Sequence, residues 1–321
     1  MSKTIEIVAP SSGEHNLQKI QDCAQKLSEL GYNINVPDDL TGGDLKYEAN
    51  RIEYRLHHLI NAAADKNTFA LMALKGGYSS GKVANQLMAL DSFPAQSKFI
   101  VGFSDLTALF LALNQKHNWL CIHGLMLTSL ANNKLNPRNI EQTLAILEGH
   151  INSLTIPDLR LLNDFEVKGN IKGNLIGGNL SVIQSSIGTS WQIDCKDKIL
   201  FLEDVGEPAY KVDRMLTQLQ QAHILDNVKA VVVGDFYKLD EEDGARELLD
   251  YTLQQFANNM SKLNCPVFKS NAFGHYHENT PLVIGADAEI DFNYTNQSSV
   301  NENSLDVLVD FSLNYSWPSF D

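Results

Sequence analysis

The chain has 321 residues, 44% of them hydrophobic, and a formal net charge of −14. That length can bury a large core and suggests two domains. The acidic balance argues against broad binding to nucleic acid or anionic membranes, though not against a small anion held by a few local cations. No stretch approaches the about 20 apolar residues of a membrane span, and the run at Ile5 to Ala9 is too short for a secretory signal. Cys23, Cys121, Cys195 and Cys265 are scattered with no CxxC pair, so free thiols in a cytoplasmic protein are expected.

In chain order, Ile5-Glu6-Ile7-Val8-Ala9 reads as a strand, followed by a helix through Leu17, Ile20, Cys23, Ala24 and Leu27. A short strand is expected near Tyr32 to Val36, a helix from Arg51 to Ala64, and a buried strand from Phe69 to Leu74. Phe99-Ile100-Val101 is a further apolar run, after which Leu106, Leu109, Phe110 and Leu113 repeat with helical spacing. This βαβα rhythm predicts a mostly parallel sheet with helices on both faces. Beyond His150 the segments become short, polar-flanked and glycine-punctuated, around Leu154-Thr155-Ile156, Gly169 to Gly173 and Trp191-Gln192-Ile193. The reading is an N-terminal α/β domain over 1–155, a linker over 156–168 and a β-rich domain over 169–321. Leu305 to Val309 supplies a candidate last strand.

Three glycine motifs compete. Gly76-Gly77-Tyr78-Ser79-Ser80-Gly81-Lys82-Val83 nearly matches a phosphate-binding loop, but Val83 stands where Ser or Thr must place a hydroxyl on magnesium. The same stretch contains Gly77-Tyr78-Ser79-Ser80-Gly81, a literal match to the nucleophile elbow of α/β-hydrolases. Gly173-Asn174-Leu175-Ile176-Gly177-Gly178-Asn179-Leu180 lacks dinucleotide-binding spacing and reads as a close backbone turn.

Ser104, in Gly102-Phe103-Ser104-Asp105, falls on a sharp strand-to-helix turn. A hydroxyl there stands near free N–H groups and the positive end of a helix dipole, which suits a nucleophile that must form an oxyanion. The simpler reading is a helix N-cap. Ser79 and Ser104 are therefore rival nucleophiles. Glu203 and Asp204 end the apolar run Ile199 to Leu202. Either orients a histidine or caps the next helix. The histidine comes from Phe273-Gly274-His275-Tyr276-His277-Glu278. A metal reading of His275, His277 and Glu278 lacks the compact ligand set it needs, so no metal and no cofactor are expected.

Four segments, in order, resemble the LD-carboxypeptidases of the peptidase S66 type, whose relatives include the microcin-C immunity hydrolases. They are Ala9-Pro10-Ser11-Ser12-Gly13, the Lys75-Gly76-Gly77-Tyr78 loop, Gly102 to Leu109 with Ile122-His123-Gly124, and Gly177-Gly178-Asn179-Leu180 followed by Leu202-Glu203-Asp204-Val205 and Asp213-Arg214-Met215-Leu216. Gly274-His275 completes the set, and the resemblance spans about 5 to 290.

The resemblance implies Ser104 as nucleophile, Glu203 as the orienting acid and His275 as the base. Ser79 then becomes a loop residue. It also implies an α/β fold: an N-terminal parallel-sheet domain carrying the serine, and a smaller β-rich α+β C-terminal domain carrying acid and histidine. The active site would lie in the cleft between them. Backbone N–H groups of Gly77 and Asp105 are the expected oxyanion hole, with Lys75 and Tyr78 as substrate contacts. The implied activity is hydrolysis of an LD-peptide bond, releasing terminal D-alanine from murein tetrapeptide during peptidoglycan recycling by a cytoplasmic homodimer. The partner is a small peptide, with neither nucleic acid nor membrane. Two alternatives stay open: a self-immunity hydrolase cleaving a peptidyl-nucleotide, and a non-catalytic ligand-binding protein on the same fold. Lys75 stands where the family usually has Arg, keeping charge but losing the bidentate fork, and Leu125 replaces the usual Pro after Gly124.

Overall fold

The computed structural model describes residues 3–42, 45–131, 135–166, 169–237, 243–275, 278–294 and 309–318. Its first part alternates strands and helices. They are β1 (Lys3–Val8), α1 (Leu17–Glu29), β2 (Tyr32–Asn35), α2 (Ile52–Ala64), β3 (Thr68–Ala73), α3 (Ser80–Ala89), β4 (Ile100–Gly102), α4 (Leu106–His117) and β5 (Cys121–His123). A 3-10 turn at Leu127–Leu130 and α5 (Pro137–Leu147) follow. Then come β6 (Ser153–Leu161), β7 (Ile171–Asn179), α6 (Leu180–Ser185), β8 (Ile199–Glu203), α7 (Ala209–Gln221), β9 (Ala230–Val233) and α8 (Asp243–Ser261). The chain closes with β10 (Val267–Lys269), β11 (Leu282–Ile284), β12 (Asp287–Tyr294) and β13 (Val309–Ser316).

The helices form where caps and apolar spacing agree. Asn16 caps α1 by accepting the Lys19 N–H, while Ile20, Cys23 and Leu27 bury one stripe. In α4 every residue from Leu106 to Leu113 is buried. An all-round apolar helix of this kind belongs in the interior. The strand β3 is a nearly continuous apolar run, as a parallel strand covered on both faces must be, and β1 buries its last four residues, Ile5 to Val8.

Six strands make the first sheet in the order β11-β5-β4-β3-β1-β2. The neighbours from β2 to β5 are parallel, and β11 joins antiparallel to β5. The order reverses between β1 and β3, and ligands in such sheets bind outside the carboxyl ends of the strands at that point. The second part is a closed barrel, β10-β6-β13-β12-β7-β8-β9. It satisfies the expectation of a β-rich second region flanked by helices.

Several local expectations change. Residues 153–161, across the expected linker, form a barrel strand. Trp191 lies in a loop with no strand, packed 3.1 Å from where a Cβ on Gly81 would be. Of the candidate last strand Leu305 to Val309, positions 305–308 lie outside the described residues, and β13 begins at Val309.

The third glycine motif is not a turn. It is the body of β7, and its glycines exist for packing: a Cβ on Gly177 would stand 1.9 Å from the Phe201 carbonyl oxygen on β8. Gly177→Ala is therefore expected to destabilise the protein by on the order of 4 kcal/mol, because backbone atoms must move. Thermal melting of the variant beside the unchanged chain checks this; an unaltered midpoint would refute the close approach.

Candidate active site

Loops at the carboxyl ends of β1, β3 and β4 converge on Ser104. A Cβ on Gly102 would lie 3.0 Å from both Ala73 Cβ and Leu106 Cγ, so only glycine lets the chain turn beneath α4. Ser104 then adopts φ +65°, a conformation that costs a non-glycine residue about 1–3 kcal/mol and concentrates at functional sites. The N-cap of α4 is Asp105, not Ser104, and its side chain makes no capping bond. The Asp105 carboxylate instead accepts from Ser11 Oγ at 2.6 Å and from the Ser80 N–H at 2.8 Å. It ties the loop after β1 and the start of α3 to the serine turn.

The glycine loop after β3 presses against this turn. A Cβ on Gly76 would sit 3.2 Å from Ser104 Oγ, and Gly77 has φ +113°. Among the described residues, no hydrogen bond engages the N–H of Gly77 or of Asp105.

The same loop cannot act as a phosphate cradle here. Its Tyr78 N–H donates to Ser12 Oγ at 3.1 Å, and Lys82 Nζ lies 2.5 Å from Glu48 Oε1. Ser79, the rival nucleophile, also has a positive φ, but its buried Oγ accepts from Arg55 Nη1 at 2.9 Å. That hydroxyl anchors a buried guanidinium.

Glu203 is the last residue of β8 and is completely buried. Its Oε2 lies 2.5 Å from His275 Nδ1. Nδ1 is thereby committed to the carboxylate, and Nε2 is left buried without a protein partner among the described residues. Phe103, next to Ser104, packs edge-on against the His275 ring at 5.0 Å between centroids. Burial opposes charge on His275, but the Glu203 carboxylate and its hydrogen bond outweigh it, so the imidazole titrates above its ordinary value. Burial likewise holds the Glu203 carboxyl above its usual range, against the pull of His275. The pair retains its shared proton to higher pH than either group alone.

Asp204 has a different task. Its Oδ1 accepts from Asn179 Nδ2 at 3.0 Å and from the Val205 N–H at 2.8 Å. Its Oδ2 accepts from the N–H and hydroxyl of Ser181. Strand neighbours point to opposite faces, so only Glu203 meets the imidazole.

The other expected contacts are placed unevenly. Tyr78 is 54% exposed, with Tyr47 edge-on at 5.9 Å. Lys75 Nζ faces Glu14 at 3.8 Å. Of the metal-type cluster, His277 lies outside the described residues and Glu278 accepts from Asn136 Nδ2. Among the described residues no group of three metal-type side chains converges.

A cavity of about 550 Å³ opens beside Ser104, walled by Tyr78 and Lys82 on one side and Asn179, Trp191 and Glu207 on the other. Glu203 and His275 are not among its lining residues. Sequence reasoning gave no role to Ser11, Ser12, Arg55 or Thr107. Thr107 Oγ1 accepts the Asn179 N–H at 3.0 Å and joins α4 to the barrel. None of these carries a local signal, because their partners are 24 to 94 residues away in sequence.

A hydroxyl on a strained strand-to-helix turn, next in sequence to a phenylalanine packed on an imidazole that a buried carboxylate holds, fits a hydrolase. Family profiles sharpen the class: the LD-carboxypeptidase N-terminal domain matches residues 5–124 and the C-terminal domain matches 172–290. The chain belongs to the LD-carboxypeptidase family. A Rickettsia prowazekii relative, named among the carboxypeptidases, is 38% identical over 292 residues, covering 89% of this chain and 86% of its own. Murein tetrapeptide carboxypeptidase of Pseudomonas aeruginosa is 30% identical over 77% of this chain and 80% of its own. The crystal structure of muramoyltetrapeptide carboxypeptidase from Oxalobacter formigenes superposes with a TM-score of 0.75 at 25% identity, covering 99% of this chain and all of that one. The microcin C7 self-immunity protein, solved with aspartyl sulfamoyl adenosine, shares the fold at a TM-score of 0.74 and 18% identity, covering 100% of this chain and 98% of its own.

Proposed function

We propose that this protein is a serine-type LD-carboxypeptidase that releases terminal D-alanine from murein tetrapeptide. The observation that carries the reading is the buried Glu203–His275 pair, packed through Phe103 against the turn that exposes Ser104. Ser104 attacks the carbonyl of the LD bond while His275 Nε2 takes its proton and returns it to the leaving D-amino acid. Glu203 fixes the tautomer at Nδ1 and stabilises the imidazolium. The N–H groups of Gly77 and Asp105 receive the oxyanion, and water releases the acyl-enzyme. The 550 Å³ cavity is the substrate cleft, between an N-terminal domain bearing the serine and a C-terminal domain bearing acid and base. Domain limits of 1–155 and 169–321 belong to the same reading, adjusted by β6, which carries the barrel back to Ser153, and by β11, which returns to the first sheet, as do a cytoplasmic homodimer and a place in peptidoglycan recycling.

Charge in the cleft favours a peptide over a nucleotide. Asp105, Asp204 and Glu207 line it against Lys82 alone, and Lys82 is already paired with Glu48. A substrate phosphate would meet Asp105 and Asp204, which no lining cation neutralises, while Glu207 is paired with Lys211; a peptide with a free ammonium would be drawn in. Incubation with murein tetrapeptide and, separately, with a processed microcin tests this by product mass. Loss of one D-alanine from the tetrapeptide alone is expected, and cleavage of the microcin alone would overturn the substrate assignment. Dialysis against a strong chelator is expected to leave the rate unchanged. Activity lost to chelator and restored by zinc would replace the serine mechanism.

A further inference from the structure

His123 ends β5 directly beside the serine turn, with Gly102 as its register partner on β4. Its ring is completely buried, and neither Nδ1 nor Nε2 has a protein partner among the described residues. Two aromatic edges hold it: Phe103 at 5.9 Å and Phe201 at 5.3 Å between centroids. Phe103 is the residue that touches His275, and Phe201 lies two before Glu203, on the same face of β8. As packing alone the position would suit phenylalanine, which brings no unpaired nitrogens into the core.

The nearby orphan atoms suggest what the ring does. Among the described residues Glu203 Oε1, the oxygen His275 does not use, is buried and unpartnered, and so is Asn279 Oδ1. Asn279 is pinned beside His123 by its own Nδ2, which donates to the Gly124 carbonyl at 2.9 Å. A buried water needs two to four polar partners, and the two His123 nitrogens, Glu203 Oε1 and Asn279 Oδ1 are the unpaired atoms that would serve it. Burial, and then the charge of His275, push the His123 pKa down to about 3, so the ring stays neutral and offers one donor and one acceptor.

We propose that His123 is a positioning residue for the catalytic pair, hydrogen-bonding Glu203 Oε1 through a buried water and so stabilising the carboxylate when His275 gives up its proton. The proposal rests on the Ser104–His275–Glu203 reading above. The groups that set the His275 titration are Glu203 and Asp204 at the end of β8, Asp235 after β9, and His123 on β5. Without the bridged water, Glu203 is less stable beside a neutral imidazole, and His275 holds its proton to higher pH.

His123→Phe tests this with murein tetrapeptide as substrate. The expected result is a melting temperature equal to or above that of the unchanged chain. The acid limb of kcat/KM should move up by about one pH unit, with about a tenfold loss of rate on that limb. His123→Gln should restore the limb in part, because its amide can hold the water. An unshifted limb in a folded His123→Phe protein overturns the proposal. Should that variant not fold, the ring nitrogen resonances of labelled His123 in the unchanged protein decide. A hydrogen-bonded shift at both supports the bridge, and a free pyridine-type nitrogen refutes it. His275→Ala separates the two readings: full activity there removes the triad itself, whereas an inactive His275→Ala with a normal His123→Phe removes only the bridge.

Discussion

Ser104→Ala is expected to lower turnover of an LD-tetrapeptide by about ten-thousand-fold or more while leaving the melting temperature nearly unchanged. The residue already sits at φ +65°, and its hydroxyl makes no hydrogen bond that folding depends on among the described residues. Removal of the oxygen therefore deletes the proposed nucleophile and little else. Ser79→Ala should behave in the opposite way. It strips a buried guanidinium of one acceptor, which costs about 1–3 kcal/mol of stability, and it leaves most of the rate. Steady-state kinetics and melting of the two variants, side by side, check both statements. A rate loss confined to Ser79→Ala would move the site to the Gly-Tyr-Ser-Ser-Gly elbow.

The second large effect separates two adjacent carboxylates. Glu203→Gln keeps the shape of the side chain but removes the charge that supports the imidazolium, so kcat should fall by about 10³ to 10⁴. Its acid limb should also move to lower pH. The pairing carboxylate raises the His275 value, and a neutral amide no longer does. Asp204→Asn should cost about 2–4 kcal/mol in stability. It converts an oxygen that accepts from Asn179 Nδ2 and the Val205 N–H, or one that accepts twice from Ser181, into a donor facing donors. Denaturant midpoints and pH–rate profiles distinguish the two. A catalytic defect in Asp204→Asn without loss of stability would reverse their roles.

Much of this was legible in the chain because the informative contacts are local. The strand-to-helix turn at Ser104 follows from Phe99 to Val101 running into the helical spacing of Leu106, Leu109, Phe110 and Leu113. The choice between Ser79 and Ser104 was not local. Both stand on glycine-flanked turns with positive φ, and what separates them is Arg55, which reaches Ser79 from α2. No periodicity announces a guanidinium 24 residues upstream. The misread motif at Gly177-Gly178 shows the same limit. Glycines that open a turn and glycines that admit a neighbouring backbone look alike until Phe201 and Thr107 are seen against them. Barrel closure was equally hidden, since β6 meets β10 and β13 only through pairings more than 100 residues apart.

The short strand β11 has a mechanical consequence. It lies late in the chain, yet it completes the first sheet by lying against β5, while β10, a few residues earlier, belongs to the barrel. His275 is thus carried on a strap sewn at one end to the barrel and at the other to the first sheet. A cut between the two halves would not yield two sound pieces. The first would keep β5 as a bare edge, open to pairing with any passing chain. The second would hold Glu203 on β8 and His275 on a segment with one end untethered. The position of His275 thus depends on pairings made in both sheets.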